Sequence, residues 1–167
     1  MVMLSSKDIL YSQGKNDECY TPRYVVEAML PYLSKDWTYW LPFDGERSEF
    51  VRVLRDNGFR FVRSHIEDGM DFFGYEPEHW DAILSNPPFT GKRAIFQRAL
   101  DLGKPFALLM SNTWLNDSAP KVLFRDRDLQ LLLFRNRIEF NNKKKITFSS
   151  SFFCCDFLPK QIIILDK

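Results

Sequence analysis

A four-residue segment near the middle of the chain has the composition of a reactive site. Asn86, Pro87, Pro88 and Phe89 come just after the apolar run at residues 82–84. The Asn86 side-chain oxygen and the Pro87 carbonyl are acceptors, and the prolines hold the backbone so that both keep one direction. Such a pair can bind the two hydrogens of a planar amine and turn its lone pair outward. Phe89 offers a ring on which a flipped base can stack.

The surroundings of this segment favour a functional loop over an ordinary turn. Asn-Pro and Pro-Pro pairs are common in loops, so four residues alone could form a turn. However, Asp81 opens the run Ala82-Ile83-Leu84, which is typical of a strand buried on both faces. In open α/β sheets, ligands bind beyond the carboxyl ends of the strands, and Asn86 falls at such an end.

On these residues the chain resembles the Rossmann-like S-adenosylmethionine-dependent methyltransferases of the adenine-N6 type, whose short members occur in bacteriophages and other mobile elements. The resemblance extends from Tyr20 to the C-terminus and is most specific at residues 86–89. It implies one methyltransferase domain at residues 18–167, after a polar arm at residues 1–17. It also implies S-adenosyl-L-methionine as cofactor and direct methyl transfer, with no covalent intermediate and no metal.

Two segments resemble the family's positions for the methionine end of the cofactor. Tyr20-Thr21-Pro22 stands where the family packs a Thr-Pro segment, although the same residues suit a helix start capped by Thr21. Residues 41–47 read Leu-Pro-Phe-Asp-Gly-Glu-Arg, where the family has Asp-Pro-Phe-x-Gly-x-Gly. Asp44 would replace the missing acid and bind the cofactor's ammonium group, or it opens a turn.

A third segment resembles the family's site for the cofactor's adenine. The Asp71 carboxylate would accept from the exocyclic amine and the Phe72 backbone would meet the ring, although a helix cap is the alternative. The acid that holds the ribose in the family is left unassigned. Residues 64–66 stand there, with Glu67 and Asp68 just beyond.

The chain contains sixteen phenylalanines, most of which we expect to pack in the core. Phe148, Phe152 and Phe153 lie where the family places an aromatic ring opposite the Asn-Pro-Pro-Phe segment. Core packing is the alternative for at least two of them. We favour Phe148 or Phe152 for the ring that would face the base.

Hydrophobic periodicity predicts an α/β domain with alternating strands and helices. Strands are predicted at residues 37–43, 59–66, 82–84, 105–110, 129–134, 137–140, 146–148 and 152–165, the last of them interrupted at Pro159. Helices are predicted after Pro22 and at residues 48–56, 92–102 and 120–126. The connection before Trp80 is too short for another strand-helix unit, so we expect a sheet one strand short. The resemblance implies a mostly parallel sheet with a C-terminal antiparallel hairpin, whose turn we place at residues 141–143.

Composition limits the possible functions. A length of 167 residues suits one domain without a sizeable target-recognition domain, so we expect a homodimer or a partner that supplies recognition. A net charge of +1 excludes a strongly basic surface overall, so contacts with nucleic acid must come from local basic patches. The candidate basic residues are Lys92, Arg93, Arg135, Arg137, Lys143, Lys144 and Lys145.

Three cysteines without C-x-x-C spacing and no signal-type segment predict a reduced, cytoplasmic protein of a bacterium or an infected host. His65 and His79 lack metal-ligand spacing, so no metal is expected. No apolar run has the length of a membrane span. The chain also has no Pro-Cys pair, which a cytosine-C5 methyltransferase would need.

The sequence therefore predicts a methyltransferase acting on adenine N6 in nucleic acid, DNA before RNA. Methylation of a protein glutamine N5 amide uses the same planar-nitrogen chemistry and is the first alternative. Phenylalanine rather than tyrosine at position 89 favours a base as the acceptor. A lapsed methyltransferase that serves as a binding module is the second alternative.

Overall fold

The computed structural model describes residues 20–140 and 148–166. Within these ranges, strands alternate with helices along most of the chain. The strands are β1 (Thr38–Leu41), β2 (Arg60–Arg63), β3 (Ala82–Ser85), β4 (Phe106–Ser111), β5 (Gln130–Leu133), β6 (Ser150–Cys155) and β7 (Ile162–Ile164). The α-helices are α1 (Arg23–Glu27), α2 (Glu49–Asp56), α3 (Lys92–Asp101) and α4 (Ala119–Leu123). Short 3-10 helices form at Leu30–Tyr32, Ile66–Asp68 and Asn112–Asn116.

The described strands form one seven-stranded sheet in the order β2-β1-β3-β4-β6-β5-β7. β6 pairs antiparallel with β4 and β5, and the other ladders are parallel. This single α/β domain with a mostly parallel, Rossmann-like sheet confirms the predicted fold class. β3 lies at the centre of the parallel part, so residues that follow it emerge between β1 and β4.

The sheet ends at β2 on one side, as the short connection before Trp80 predicted. Residues 64–81 form a 3-10 helix and turns, with no strand beyond β2. On the other side, β7 adds to the edge by pairing in parallel with β5. The sheet therefore has no strand beyond β2, but it gains β7 at the opposite edge and has seven strands in total among the described residues.

The strand predicted at residues 137–140 is wrong. That stretch is irregular, and Ile138 and Phe140 are buried in the core. Their alternation imitates a strand because both side chains pack inward from a loop. The turn predicted at residues 141–143 lies outside the described residues, as do the first two residues of the strand predicted at 146–148. The antiparallel pair implied by the resemblance is formed by β5 and β6.

Two apolar clusters cover the two faces of the sheet, because successive strand side chains point to opposite sides. The first face packs against α1 and α2, and the second against α3 and α4. β3 and β4 are buried along their whole length, which explains their nearly unbroken apolar sequences. None of the described helices is long and apolar enough to cross a membrane.

The predicted cap of the first helix is wrong. α1 has Pro22 as its N-cap, and no side chain caps it. The Thr21 hydroxyl is engaged elsewhere, since it accepts a hydrogen bond from Asn86 Nδ2. In α2, Ser48 caps the helix by accepting from the Phe50 backbone nitrogen at 3.1 Å.

Candidate functional site

Asn86 follows the carboxyl end of β3 and contacts the segment that precedes α1. Its Nδ2 donates a hydrogen bond to Thr21 Oγ1 at 2.9 Å, and Thr21 is itself buried. The bond assigns the nitrogen end of the amide to Thr21, so Oδ1, a buried atom, is the end that can accept from an amine. Two segments 65 residues apart in sequence thus meet at one point.

Asp44 lies in the loop after β1, beside the residue that precedes Asn86. Ser85 Oγ donates to Asp44 Oδ2 and Ser48 Oγ donates to Asp44 Oδ1, each at 2.5 Å. Asp44 is only 5% exposed. Burial raises its pKa to about 6, against the opposing effect of the two serine hydroxyls and the nearby His65. Each carboxylate oxygen has two lone pairs, so one remains on each for another donor.

Asp71 and Phe72 lie in a turn, and the Phe72 side chain packs in the core. Asp71 Oδ1 accepts from the Phe73 backbone nitrogen at 3.1 Å. The Phe72 ring is 2% exposed and packs 5.0 Å from the Phe43 ring, centroid to centroid. Phe43 directly precedes Asp44, so this turn adjoins the β1 loop.

Arg98 of α3 holds the same turn from the other side. Its Nε donates to the Phe72 carbonyl oxygen at 2.8 Å, and a terminal nitrogen lies 3.5 Å from the Tyr75 carbonyl oxygen. The guanidinium also lies over the Phe72 ring, at 5.7 Å from its centroid. Sequence reasoning missed Arg98, since nothing in the spacing of α3 distinguishes it from a solvated arginine.

The Phe89 side chain is half-buried beside a second aromatic ring. Its ring centroid lies 5.6 Å from that of Phe148, with the planes at 86°. Phe152 and Phe153 are fully buried on opposite faces of the sheet. Of the three phenylalanines singled out in the sequence, Phe148 is the one whose ring pairs with the Phe89 ring among the described residues.

Buried oxygens border the same edge of the sheet, where β4 ends and β6 begins. Asn112 Oδ1, Ser150 Oγ and Ser151 Oγ have no hydrogen-bond partner within the described part of the chain. The Asn112 backbone nitrogen donates to the Ser149 carbonyl oxygen at 2.8 Å, next to Phe148. Sequence reasoning missed Asn112, although it follows a buried strand just as Asn86 does.

The residues near the expected ribose position have partners of their own. Ser64 Oγ accepts from Trp40 Nε1 at 2.9 Å in the core. Asp68 forms an ion pair with Arg63 at 2.9 Å, and Glu67 is exposed. None of them is distinguished as a ribose-binding residue.

Most of the predicted site residues are brought together by direct contacts. Asp44, Ser85, Asn86 and Thr21 form one connected group, and Pro22 lies buried next to Thr21. Phe72 reaches this group through Phe43, while the Tyr20 side chain is 62% exposed. No group of His, Cys, Asp and Glu side chains among residues 20–140 and 148–166 could hold a metal ion.

No protein-family model matches this chain, and a search of curated proteins finds no similar sequence. Among solved structures, it is similar to the methyltransferase subunit of a type I restriction-modification system from Streptococcus thermophilus, with a TM-score of 0.53 and 13% identity. That match covers 89% of this chain and 48% of the subunit, so the chain spans about half its length. A predicted O-methyltransferase from Agrobacterium tumefaciens matches with a TM-score of 0.43 and 10% identity, over 86% of this chain and 83% of that protein.

The likeness to the methyltransferase subunit concerns the fold. The chain has the mixed, mostly parallel sheet of a methyltransferase fold, and the Asn-Pro-Pro-Phe segment lies at the carboxyl end of a central strand of that sheet.

Proposed function

We propose that this chain is an S-adenosylmethionine-dependent methyltransferase that acts on the N6 amine of adenine in nucleic acid, with DNA as the first candidate. One observation carries the proposal. In a methyltransferase fold, the Asn86 amide follows a central strand and is oriented by the buried Thr21 hydroxyl. A rigidly held acceptor at that position suits an amine whose lone pair must be turned toward a methyl donor.

The residues around the β1 loop fit the proposed cofactor. Asp44 is a buried carboxylate with a raised pKa, and the ammonium group of S-adenosylmethionine would favour its ionised form. Thr21 and Pro22 would border the methionine end, and Asp71 with the Phe72 backbone would receive the adenine. When bound, the cofactor supplies an electrophilic methyl group on sulfur.

The chain's own contribution to the reaction is alignment. Asn86 Oδ1 and the Pro87 carbonyl oxygen accept the two hydrogens of the amine, which directs its lone pair out of conjugation with the ring. The amine held there would lie in line with the methyl–sulfur bond of the bound cofactor, so that the methyl group would pass to nitrogen and the thioether would leave. The amine proton would then go to solvent. Because the proton leaves last, no strong general base is required and neither histidine takes part.

The base would bind against Phe89, whose ring provides a stacking surface. Phe148 lies against Phe89 in the structure, so a base that enters would move or replace this contact. Asn112 Oδ1, just after β4, and Ser150 Oγ, in the first residue of β6, are buried polar atoms that would contact the base or its sugar.

Two considerations favour a nucleic-acid acceptor. One similar solved protein is the methyltransferase subunit of a type I restriction-modification system. The basic residues Lys92 and Arg93 open α3 shortly after the Asn-Pro-Pro-Phe segment and would contact phosphates there.

A binding module that has lost its activity is the second candidate, and the β1 loop favours it. Both Asp44 oxygens already accept hydrogen bonds from serines, and Arg47 stands where the resembled family has a glycine. Such a loop would bind the cofactor weakly or not at all.

Calorimetry with S-adenosylmethionine separates the two candidates. We expect saturable binding with a micromolar dissociation constant, and absence of binding would favour the module. The methyl-labelled cofactor should then be incubated with DNA, RNA and a glutamine-containing peptide. Label recovered as N6-methyladenine supports the proposal. Label on the peptide amide would instead show that the acceptor is a protein glutamine.

A further inference from the structure

The edge of the sheet at β7 is open and apolar. β7 pairs with β5 on one side, and no described strand lies on the other. Ile162 and Ile164 are 54% and 68% exposed, among the most exposed large apolar side chains of the described residues. Proteins usually protect such an edge with a charge, a proline or a bulge. β7 is only three residues long, and its isoleucines include no charge, proline or bulge, although Pro159, Lys160 and Asp166 stand close to its ends.

The backbone of β7 leaves a defined set of hydrogen-bonding groups at this edge. The Leu131 nitrogen donates to the Gln161 carbonyl oxygen at 2.8 Å, and the Leu165 nitrogen donates to the Leu133 carbonyl oxygen at 2.9 Å. Peptide groups of alternate residues point to opposite sides of a strand. Since Gln161 and Leu165 face β5, the peptide groups of Ile162 and Ile164 point away from the sheet.

The sequence around β7 is complementary to itself when two copies run antiparallel. Residues 160–166 read Lys-Gln-Ile-Ile-Ile-Leu-Asp. A register centred on Ile163 places Ile162 opposite Ile164 of the second copy, so two residues with outward peptide groups face each other. The same register places Lys160 opposite Asp166 at both ends. Opposite charges at facing positions stabilise an antiparallel pair, and other registers lose this match.

We propose that β7 pairs with β7 of a second copy of this chain, forming a symmetric dimer with one continuous sheet. The twofold axis passes through the pair of Ile163 residues, perpendicular to the sheet. Each copy has one β7 edge, so the assembly closes as a dimer. The interface is independent of the proposed activity and leaves the Asn86 edge of both copies open.

Pairing would also cover part of the exposed apolar surface. Ile162 and Ile164 point to the same face of the sheet as their β5 partners, Leu131 and Leu133. In the dimer the four isoleucines of the two strands stand side by side between the two pairs of leucines. This lateral contact removes apolar surface from water and adds to the backbone hydrogen bonds.

Charge reversal tests the register directly. Lys160→Asp and Asp166→Lys each place like charges opposite one another at both ends, and each should weaken the dimer roughly 5- to 50-fold in sedimentation experiments. An equimolar mixture of the two variants restores both attractions and should form a heterodimer. The double variant should dimerise like the parent. Lys121→Asp and Asp117→Lys, exposed reversals outside β7, are matched controls that should leave the dimer unchanged.

Amide hydrogen exchange gives a second readout. The amides of Ile162 and Ile164 should become protected as concentration rises, while those of Ile163 and Leu165 are protected throughout by β5. A chain that stays monomeric up to millimolar concentration would overturn the proposal. Dimers that ignore both charge reversals, or variants that fail to pair when mixed, would overturn it as well.

Discussion

Asp44 is a buried carboxylate whose ionisation is costly in the folded chain. The side chain is 5% exposed, and burial raises its pKa to about 6 although two serines donate hydrogen bonds to it. A buried acid with such a pKa is typical of sites that bind a cation or a proton. The proposed ammonium ligand would relieve the cost, so this residue should favour binding at the expense of stability.

The stability of the protein should therefore depend on the ionisation of Asp44. Well below pH 3.8, the carboxyl group is protonated in both the folded and the unfolded chain. As the pH rises to about 6, the unfolded chain loses this proton while the folded chain keeps it, so the free energy of unfolding falls through that window. Asp44→Asn should remove this fall and stabilise the protein at pH 8 by about 2–3 kcal/mol.

Urea unfolding of Asp44→Asn and the parent at pH 4, 6 and 8 measures this difference. The gain should be much smaller at pH 4, and Asp117→Asn, an exposed carboxylate, should show none. Cofactor affinity of Asp44→Asn should fall by about 1–3 kcal/mol, because the charge that faces the ammonium is lost. A variant less stable than the parent at pH 8 would show that the carboxylate serves the fold instead.

Asp71 has a structural bond in addition to its proposed role toward the cofactor's adenine, so two substitutions are needed. Asp71→Ala should weaken cofactor binding by about 1–3 kcal/mol in calorimetry. Asp71→Asn keeps an oxygen for the Phe73 backbone nitrogen, which the structure shows bonded to Asp71 Oδ1, but removes the charge. If Asn restores full affinity, the role of Asp71 is to hold the turn. Unchanged affinity in both variants would refute the assignment.

Phe89 should contribute to acceptor binding through stacking. Phe89→Ala should weaken binding of an adenine-containing substrate by about 1–3 kcal/mol, as measured by fluorescence anisotropy. Phe89→Tyr keeps the ring and should be tolerated. Phe148→Leu, which removes the ring against Phe89 but keeps an apolar side chain, distinguishes a two-ring site from a one-ring site. Equal affinity in Phe89→Ala would leave this residue a packing role only.

At the scale of elements, α3 links the proposed acceptor loop to the proposed cofactor site. The helix begins at Lys92, soon after Phe89, and its Arg98 holds the Phe72 carbonyl oxygen at 2.8 Å. A movement of the Asn-Pro-Pro-Phe segment that shifts α3 would therefore also shift the turn that contains Asp71. The Thr21–Asn86 hydrogen bond forms a second link, between the segment before α1 and β3.

Arg98→Met should loosen the turn at residues 71–75 while keeping the aliphatic part of the side chain. The buried Phe72 carbonyl loses a charged donor, which we expect to lower the free energy of unfolding by about 1–3 kcal/mol. Cofactor affinity should fall with it, and chemical denaturation and calorimetry measure the two effects. Arg93→Met on the exposed side of α3 is the matched control. If Arg98→Met binds the cofactor as tightly as the parent, α3 does not contribute to the cofactor site through Arg98.

Elements with strong local patterns were predictable from the sequence. β3 and β4 are buried runs that read as such, and Ser48 precedes α2 as a capping residue should. Thr21 was assigned to the wrong partner because a capping serine or threonine and a hydroxyl used in tertiary contact have the same local sequence. Residues 137–140 imitated a strand for a related reason, since burial from a loop also alternates.

At the scale of the whole molecule, the sheet order and the long-range contacts set the limits of sequence reasoning. The buried run at residues 82–84 placed Asn86 at the carboxyl end of a strand, and the resemblance supplied the mostly parallel sheet with its antiparallel pair. It did not supply β7, which pairs with β5 although β6 lies between them in sequence. Arg98 and Asn112 could not be identified from the sequence either, because the residues that surround them come from distant segments of the chain.

The proposed methylation depends on Asn86, and nucleoside mass spectrometry of DNA measures that dependence. The parent chain and Asn86→Ala should each be expressed in a host that lacks adenine methylation. The parent should produce N6-methyladenine, and Asn86→Ala should reduce its formation at least about 100-fold, the effect of removing one preorganised electrostatic partner. Calorimetry should confirm that Asn86→Ala still binds the cofactor. Equal N6-methyladenine from the two chains, or none from a parent chain that binds the cofactor, would contradict the account.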